Sequence, residues 1–246
     1  MNSNEEKLRQ EIEGKSVILV GPAPIMKGRC LGKWIDTFDF VLRTNGAINL
    51  LDRISYQKDY GKKCDMLCIN VQFHRESKPL PLERWKKRYG LKFLGMKTNP
   101  VSVIQNYSKT IPTLSLQSSI GKLHKTVKGV LYGPVVMDYI LQYKPKELWF
   151  TGIDFYFNKP DIFVPDDWRE YFPNYLPEKV QNWANVKNIG KVDPHDQYSN
   201  CKFMWELLQQ GRIKTNNFIY DIMGTIISDP EYYSYEGRLK RTGKKK

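Results

Sequence analysis

Apolar residues in this 246-residue chain fall in short runs separated by polar, helix-spaced stretches. Five runs, SVILV (16–20), FVLRT (40–44), DMLCI (65–69), LKFLG (91–95) and ELWFTG (147–152), are rich in branched and aromatic side chains and read as buried strands. VVMDYILQY (135–143) and CKFMWELLQQG (201–211) instead repeat their apolar positions at helical spacing. For the second helix Ser199 or Asn200 is the expected cap, and Gly211 the expected stop. Strands alternating with helices predict an α/β fold, a mostly parallel sheet with helices on both faces. Residues 160–190 interrupt the pattern with proline, asparagine and aromatic residues. They are expected to form a long ordered loop, either a lid over a ligand or a packed surface excursion. The length fits a single domain over residues 1–236 followed by a tail, 237–246.

Composition narrows the class. No apolar run approaches the roughly 20 residues that span a bilayer, and the polar start MNSNEEKLRQEIEGK is unlike a signal peptide. The expectation is a soluble, cytoplasmic protein. The four cysteines agree: Cys64 and Cys68 alone are close in sequence, a poor zinc signature, and buried thiols are the plainer reading. The net charge of +13 calls for an anionic partner. Six basic side chains sit in the tail GRLKRTGKKK, which can touch anionic surfaces peripherally. The remaining excess of about seven suits an anionic ligand such as a nucleotide.

The turn after the first strand, GPAP, is the first place to look for that ligand. No G-x-x-x-x-G-K-[ST] loop occurs, and Gly21 stands alone where a dinucleotide fold uses three glycines. The general rule for open α/β sheets still holds: ligands bind at the carboxyl ends of strands, where Gly21 and the RTN following the second strand lie. Arg43 and Asn45 could then present a guanidinium fork and an amide to one ligand. The competing reading pairs Arg43 with Asp36 or Asp39 and makes Asn45 a turn cap.

Three blocks carry a family resemblance. Gly21, GKWID (32–36) and DFVLRTNGA (39–47) resemble, without a gap, the large motif of sialyltransferases, glycosyltransferase family 29. GVLYGPVVMDYILQYKPKELWFTGIDFYF (129–157) is similar to the small motif, with Gly133 at its helix-opening glycine. VDPHDQYSNCKFMWELLQQG places His195 just before a helix, as the family's very small motif does. The resemblance implies a Rossmann-like fold of the GT-A variant type. It also implies inverting transfer of a sugar from a CMP-activated donor to a glycan acceptor, with no metal and no other cofactor. His195 would be the general base, with Asp196 or Asp193 orienting its ring. Donor contacts would come from Gly21, Pro22, Ala23, Arg43, Asn45, Tyr132, Gly133 and Asp154. His74, after the strand ending near Asn70, is a candidate for the acceptor side.

The departures are local. Pro22, Ala23 and Pro24 stand where the family's turn carries Asn-Ser-Gly, Leu131 and Tyr132 replace a pair of hydroxyl residues, and Asn200 occupies a glutamate position. No cysteine pair could form the disulfide of the animal enzymes, so a bacterial or viral member is expected. The leaving phosphate needs neutralising cations, for which Lys27 and Arg29 are further candidates. No Asp-x-Asp lies between a strand and a loop, so no manganese is expected; PDD at 165–167 reads as a surface turn. Two rival readings remain, the same fold with another nucleotide-sugar donor, and a non-catalytic basic nucleic-acid-binding protein. The second lacks any recognisable nucleic-acid motif, and no nucleic acid is expected as a partner.

Overall fold

The computed structural model describes residues 3–69, 80–96, 107–155, 157, 196–234 and 236–237. All five expected strands form: β1 (Ser16–Val20), β2 (Phe40–Thr44), β3 (Met66–Ile69), β4 (Phe93–Met96) and β6 (Glu147–Thr151). Two short ones join them, β5 (Thr113–Ser115) and β7 (Lys214–Thr215). The sheet order is β5-β4-β3-β2-β1-β6-β7, and every pairing is parallel. The chain therefore steps outward from β1 to β5 and then returns to the other side of β1. The reversal falls between β1 and β6, where Val20 faces Arg43 on one side and Thr151 on the other.

Helices α1 (Ser3–Ile12), α2 (Gly32–Ile35), α3 (Ile54–Tyr60), α4 (Leu82–Tyr89), α5 (Gln117–Leu123), α6 (Tyr132–Leu141), α7 (Gln197–Gln209), α8 (Asn217–Ser228) and α9 (Pro230–Tyr233) surround it. The alternation of side chains along each strand assigns the faces. Val17 and Leu19 join Phe40 and Leu42 in a core built with α1, α5, α6, α7 and α8. Ile18, Val20 and Val41 point the other way, onto Met26, Ile35, Tyr56 and Tyr60 from α2, α3 and the turn before them. On that same face Leu67, Ile69, Leu94 and Met96 meet Leu82, Trp85 and Tyr89 of α4. Both faces are thus covered, as the near-continuous apolar strands require.

The helix expected over 135–143 starts earlier, at Tyr132, and its residues Tyr132 to Ile140 are all buried. The helix expected over 201–211 also starts earlier. Its cap is Asp196 rather than Ser199 or Asn200, with the carboxylate accepting from Ser199 N at 2.6 Å. It ends as expected, at Gly211 with φ +68°. The segment 160–190 and residues 238–246 of the tail lie outside the described residues.

Cys64, Cys68 and Cys201 are buried and Cys30 is exposed. Burial pushes the Cys64 thiol up to about 12, against a small opposing pull from Arg43, and raises those of Cys68 and Cys201 as well. A thiol reagent at pH 8 should therefore modify one cysteine in the native protein, Cys30, and all four after denaturation. Peptide mapping showing rapid native modification of Cys64 or Cys68 would contradict this packing.

Candidate functional site

At the carboxyl ends of β1 and β6 two backbones touch. Gly21 N donates to Thr151 O (2.8 Å) and Ala23 N to Gly152 O (2.9 Å). A Cβ on Gly21 would lie 2.1 Å from Gly152 O, and one on Gly152 would lie 2.5 Å from Gly21 O, so both positions exclude side chains. Gly152 also has φ +64°, a conformation glycine adopts without strain.

The turn that follows is held from α3. Tyr60 Oη donates to Ala23 O at 2.8 Å. The buried Asp59 carboxylate accepts from Gly28 N (2.9 Å) and Cys30 N (2.8 Å). Burial, then Asp59, then Asp154 raise the Tyr60 phenol well above its ordinary value, keeping it a donor. Pro24 opens a 3-10 turn to Met26, needing no N–H at that place.

Arg43 is placed elsewhere than the strand-end argument expects. It is fully buried, with Nε donating to Lys63 O (2.8 Å) and Nη2 to Tyr60 O (2.7 Å), while Nη1 is buried without a hydrogen bond. The side chain runs back along the sheet to carbonyls at the end of α3 and before β3. It is not paired with Asp36, which accepts from Lys62 and Lys63 N–H, nor with Asp39, which accepts from Ser16. Burial lowers its affinity for the proton, and Cys64, Asp36 and Asp65 partly restore it. Asn45, half-buried at the end of β2, has φ +48°.

The second block meets the first. Gly133, in the first turn of α6, packs so closely on Ile153 that a Cβ would lie 2.9 Å from Cδ1. Tyr132 Oη donates to Ile69 O at 2.7 Å, with Gly95 O at 3.2 Å, binding the start of α6 to the ends of β3 and β4. Asp154 is 1% exposed, beside Tyr60.

The third block is tied to both. Gln197 Nε2 donates to Phe155 O at 2.8 Å. Asn200 is fully buried; its Oδ1 accepts from Leu131 N (2.7 Å), and its Nδ2 donates to Gly129 O (3.1 Å), Lys128 O (3.3 Å) and Asp196 O (2.7 Å). Asp196 N donates to Lys128 O at 3.3 Å, and its Oδ1 is taken by the α7 cap. The chain is therefore fixed at the residue after His195. His195, Asp193 and His74 lie outside the described residues.

Asp59 and Tyr60 are braces that the sequence motifs do not mark, and Asn200, expected only as a cap candidate or a departure at a glutamate position, is a third. The Asn200 side chain must donate on one side and accept on the other, which a carboxylate cannot do. Asn200→Asp should cost about 2–3 kcal/mol at neutral pH. The introduced carboxyl would be harder to ionise folded than unfolded, so the penalty should shrink as pH falls through its folded-state pKa. Urea unfolding at two pH values would show this; equal stability to the parent at pH 7 would refute it.

Among the described residues, no helix is long and apolar enough to cross a membrane, and no group of three or more His, Cys, Asp or Glu residues could hold a metal ion.

A solved structure of a mammalian sialyltransferase matches the fold with a TM-score of 0.52 at 13% identity, covering 87% of this chain and 78% of that one. That likeness concerns the fold alone. No curated protein matches the chain. The family model described as glycosyltransferase family 29 (sialyltransferase) matches residues 2–145, which takes in β1 to β5, the Gly21 turn and all of α6. With more than half its length so matched, the chain belongs to glycosyltransferase family 29, the sialyltransferases.

Proposed function

We propose that this glycosyltransferase moves a sugar from a CMP-activated donor to a glycan acceptor with inversion and without a metal ion, in a GT-A variant fold. The observation that carries the reading is that Gly21 and Gly133 both pack against Ile153 beside the β1/β6 switch point, where open α/β sheets bind ligands, with Gln197 tied to Phe155 O next to it. The acceptor hydroxyl attacks the anomeric carbon, a new C–O bond forms, and the bond to the phosphate oxygen breaks with departure of CMP. His195 takes the hydroxyl proton; an imidazole with a reference pKa near 6.5 suits that task. Asp196 acts as a positioning residue through the backbone it anchors.

Gly21, Pro22 and Ala23 form the wall of the donor site, Asn45 and Gly133 face the nucleotide, and Asp154 and Tyr132 support them from below. Arg43 supports the site only through the α3 carbonyls that it holds. His74 serves the acceptor side. The enzyme works in the cytoplasm, and the tail 237–246 adds peripheral contact with anionic surfaces.

A thermal-shift screen of nucleotides tests the donor. CMP near 100 times its Kd should raise the midpoint by about 5–10 °C. Stabilisation by UDP with manganese and none by CMP would replace the donor assignment.

A further inference from the structure

The turn after β1 has almost nothing of its own to offer an anion. Of the ten residues from Gly21 to Cys30, Pro22 and Pro24 have no N–H, and seven of the others hydrogen-bond theirs within the protein. Only the N–H of Ile25 remains. A departing phosphate at this edge of the sheet therefore needs a side chain, and one cation is already held in place. Arg29 is exposed, yet its Nε donates to Ile25 O at 2.9 Å and its guanidinium lies 4.1 Å from the centre of the Phe218 ring. Its backbone N donates to Met26 O at 3.2 Å, and the residues on either side, Gly28 and Cys30, are gripped by Asp59.

Ile25 follows the carboxyl end of β1 and Phe218 that of β7, so the guanidinium bridges two segments on the ligand-binding edge of the sheet. No carboxylate among the described residues pairs with it. Holding an arginine by Nε and by the face of its guanidinium leaves Nη1 and Nη2 as a planar fork, the geometry that matches two phosphate oxygens. An unrestrained surface arginine loses side-chain freedom when it binds; here much of that loss has occurred in folding.

We propose that Arg29, stacked on Phe218, binds the phosphate of the nucleotide-sugar donor in place of contacts that the Pro22–Ala23–Pro24 turn cannot make. This rests on the nucleotide-sugar reading above. Calorimetric titration of the full-length protein with CMP and with cytidine, which lacks the phosphate, tests it. Arg29→Gln should weaken CMP about 10- to 100-fold and leave cytidine unchanged. Phe218→Leu, which keeps the charge but removes the stacking face, should weaken CMP several-fold, and Lys27→Gln should have much the smaller effect. Unliganded thermal midpoints identify any variant whose fold has changed.

Wild-type CMP affinity in Arg29→Gln overturns the proposal, and so does an equal loss for CMP and cytidine, which would place the arginine at the base. If the wild type binds UDP or GDP but not CMP, the donor assignment falls while the proposal is judged on that nucleotide against its nucleoside. Binding of none of them by the wild type overturns both.

Discussion

His195→Ala is expected to lower the rate of sugar transfer by about 10²- to 10⁴-fold and to leave CMP affinity nearly unchanged. The magnitude is that of a general base acting on a hydroxyl, which at neutral pH is a poor nucleophile until its proton is taken. On the proposed reading the base serves the acceptor and the donor is held at the Gly21 turn and the start of α6, so binding should survive. The anchoring of Asp196 by Lys128 O and by the α7 cap lets the loss be read as chemistry rather than disorder, since those contacts do not involve the imidazole. In the parent enzyme, kcat/KM should fall on acidification, because protonation removes an imidazole base. The variant should lose that limb. Initial rates of CMP release in the presence of acceptor, paired with donor titration, check both; transfer at parental rate would assign the base elsewhere.

Gly21→Ala is expected to be strongly destabilising. Its Cβ would meet Gly152 O at 2.1 Å and Gly152 C at 2.8 Å, and backbone atoms paired in a sheet cannot rotate aside as a side chain can. Overpacking of this kind costs about 3 kcal/mol. Because β1 and β6 must separate to relieve it, nucleotide binding should go with it. Gly121→Ala is the matched control. Gly121 lies within α5 with nothing within 4 Å of the added Cβ, so the change should stabilise by roughly 0.5–1 kcal/mol through helix propensity. Urea midpoints of the two variants should move in opposite directions. Parental stability for Gly21→Ala would mean that the two strand ends lie farther apart than described.

The strands are readable because most are buried on both faces and so are nearly continuously apolar; β1 and β2 fall on the predicted residues 16–20 and 40–44. β7 escaped because two residues, Lys214 and Thr215, cannot show a period. Arg43 differs from both sequence expectations for a different reason. Strand position tells which face a side chain leaves from, but an arginine is long enough to run several ångströms along that face in either direction. Here the carbonyls of Tyr60 and Lys63 draw it away from the ligand edge. Asp59 and Asn200 are invisible as braces in the sequence because the segments they join lie 29 to 72 residues away, and local pattern has no reach over such separations. Asp196 was the cap although Ser199 and Asn200 are good cap residues: Asn200 was already committed to Leu131 and Gly129.

The pairing of β1 with β6, Ser16 against Glu147, also sets the order in which the protein can be made. During synthesis β2 becomes available to β1 within a few dozen residues, but the other edge of β1 must wait until Thr151 has left the ribosome. At about 5–20 residues per second the delay is on the order of 10 s. Throughout it the apolar edge VILV stays open to other chains. Translational pauses before residue 151, or nonsense products ending there, should therefore yield aggregates rather than partly active enzyme.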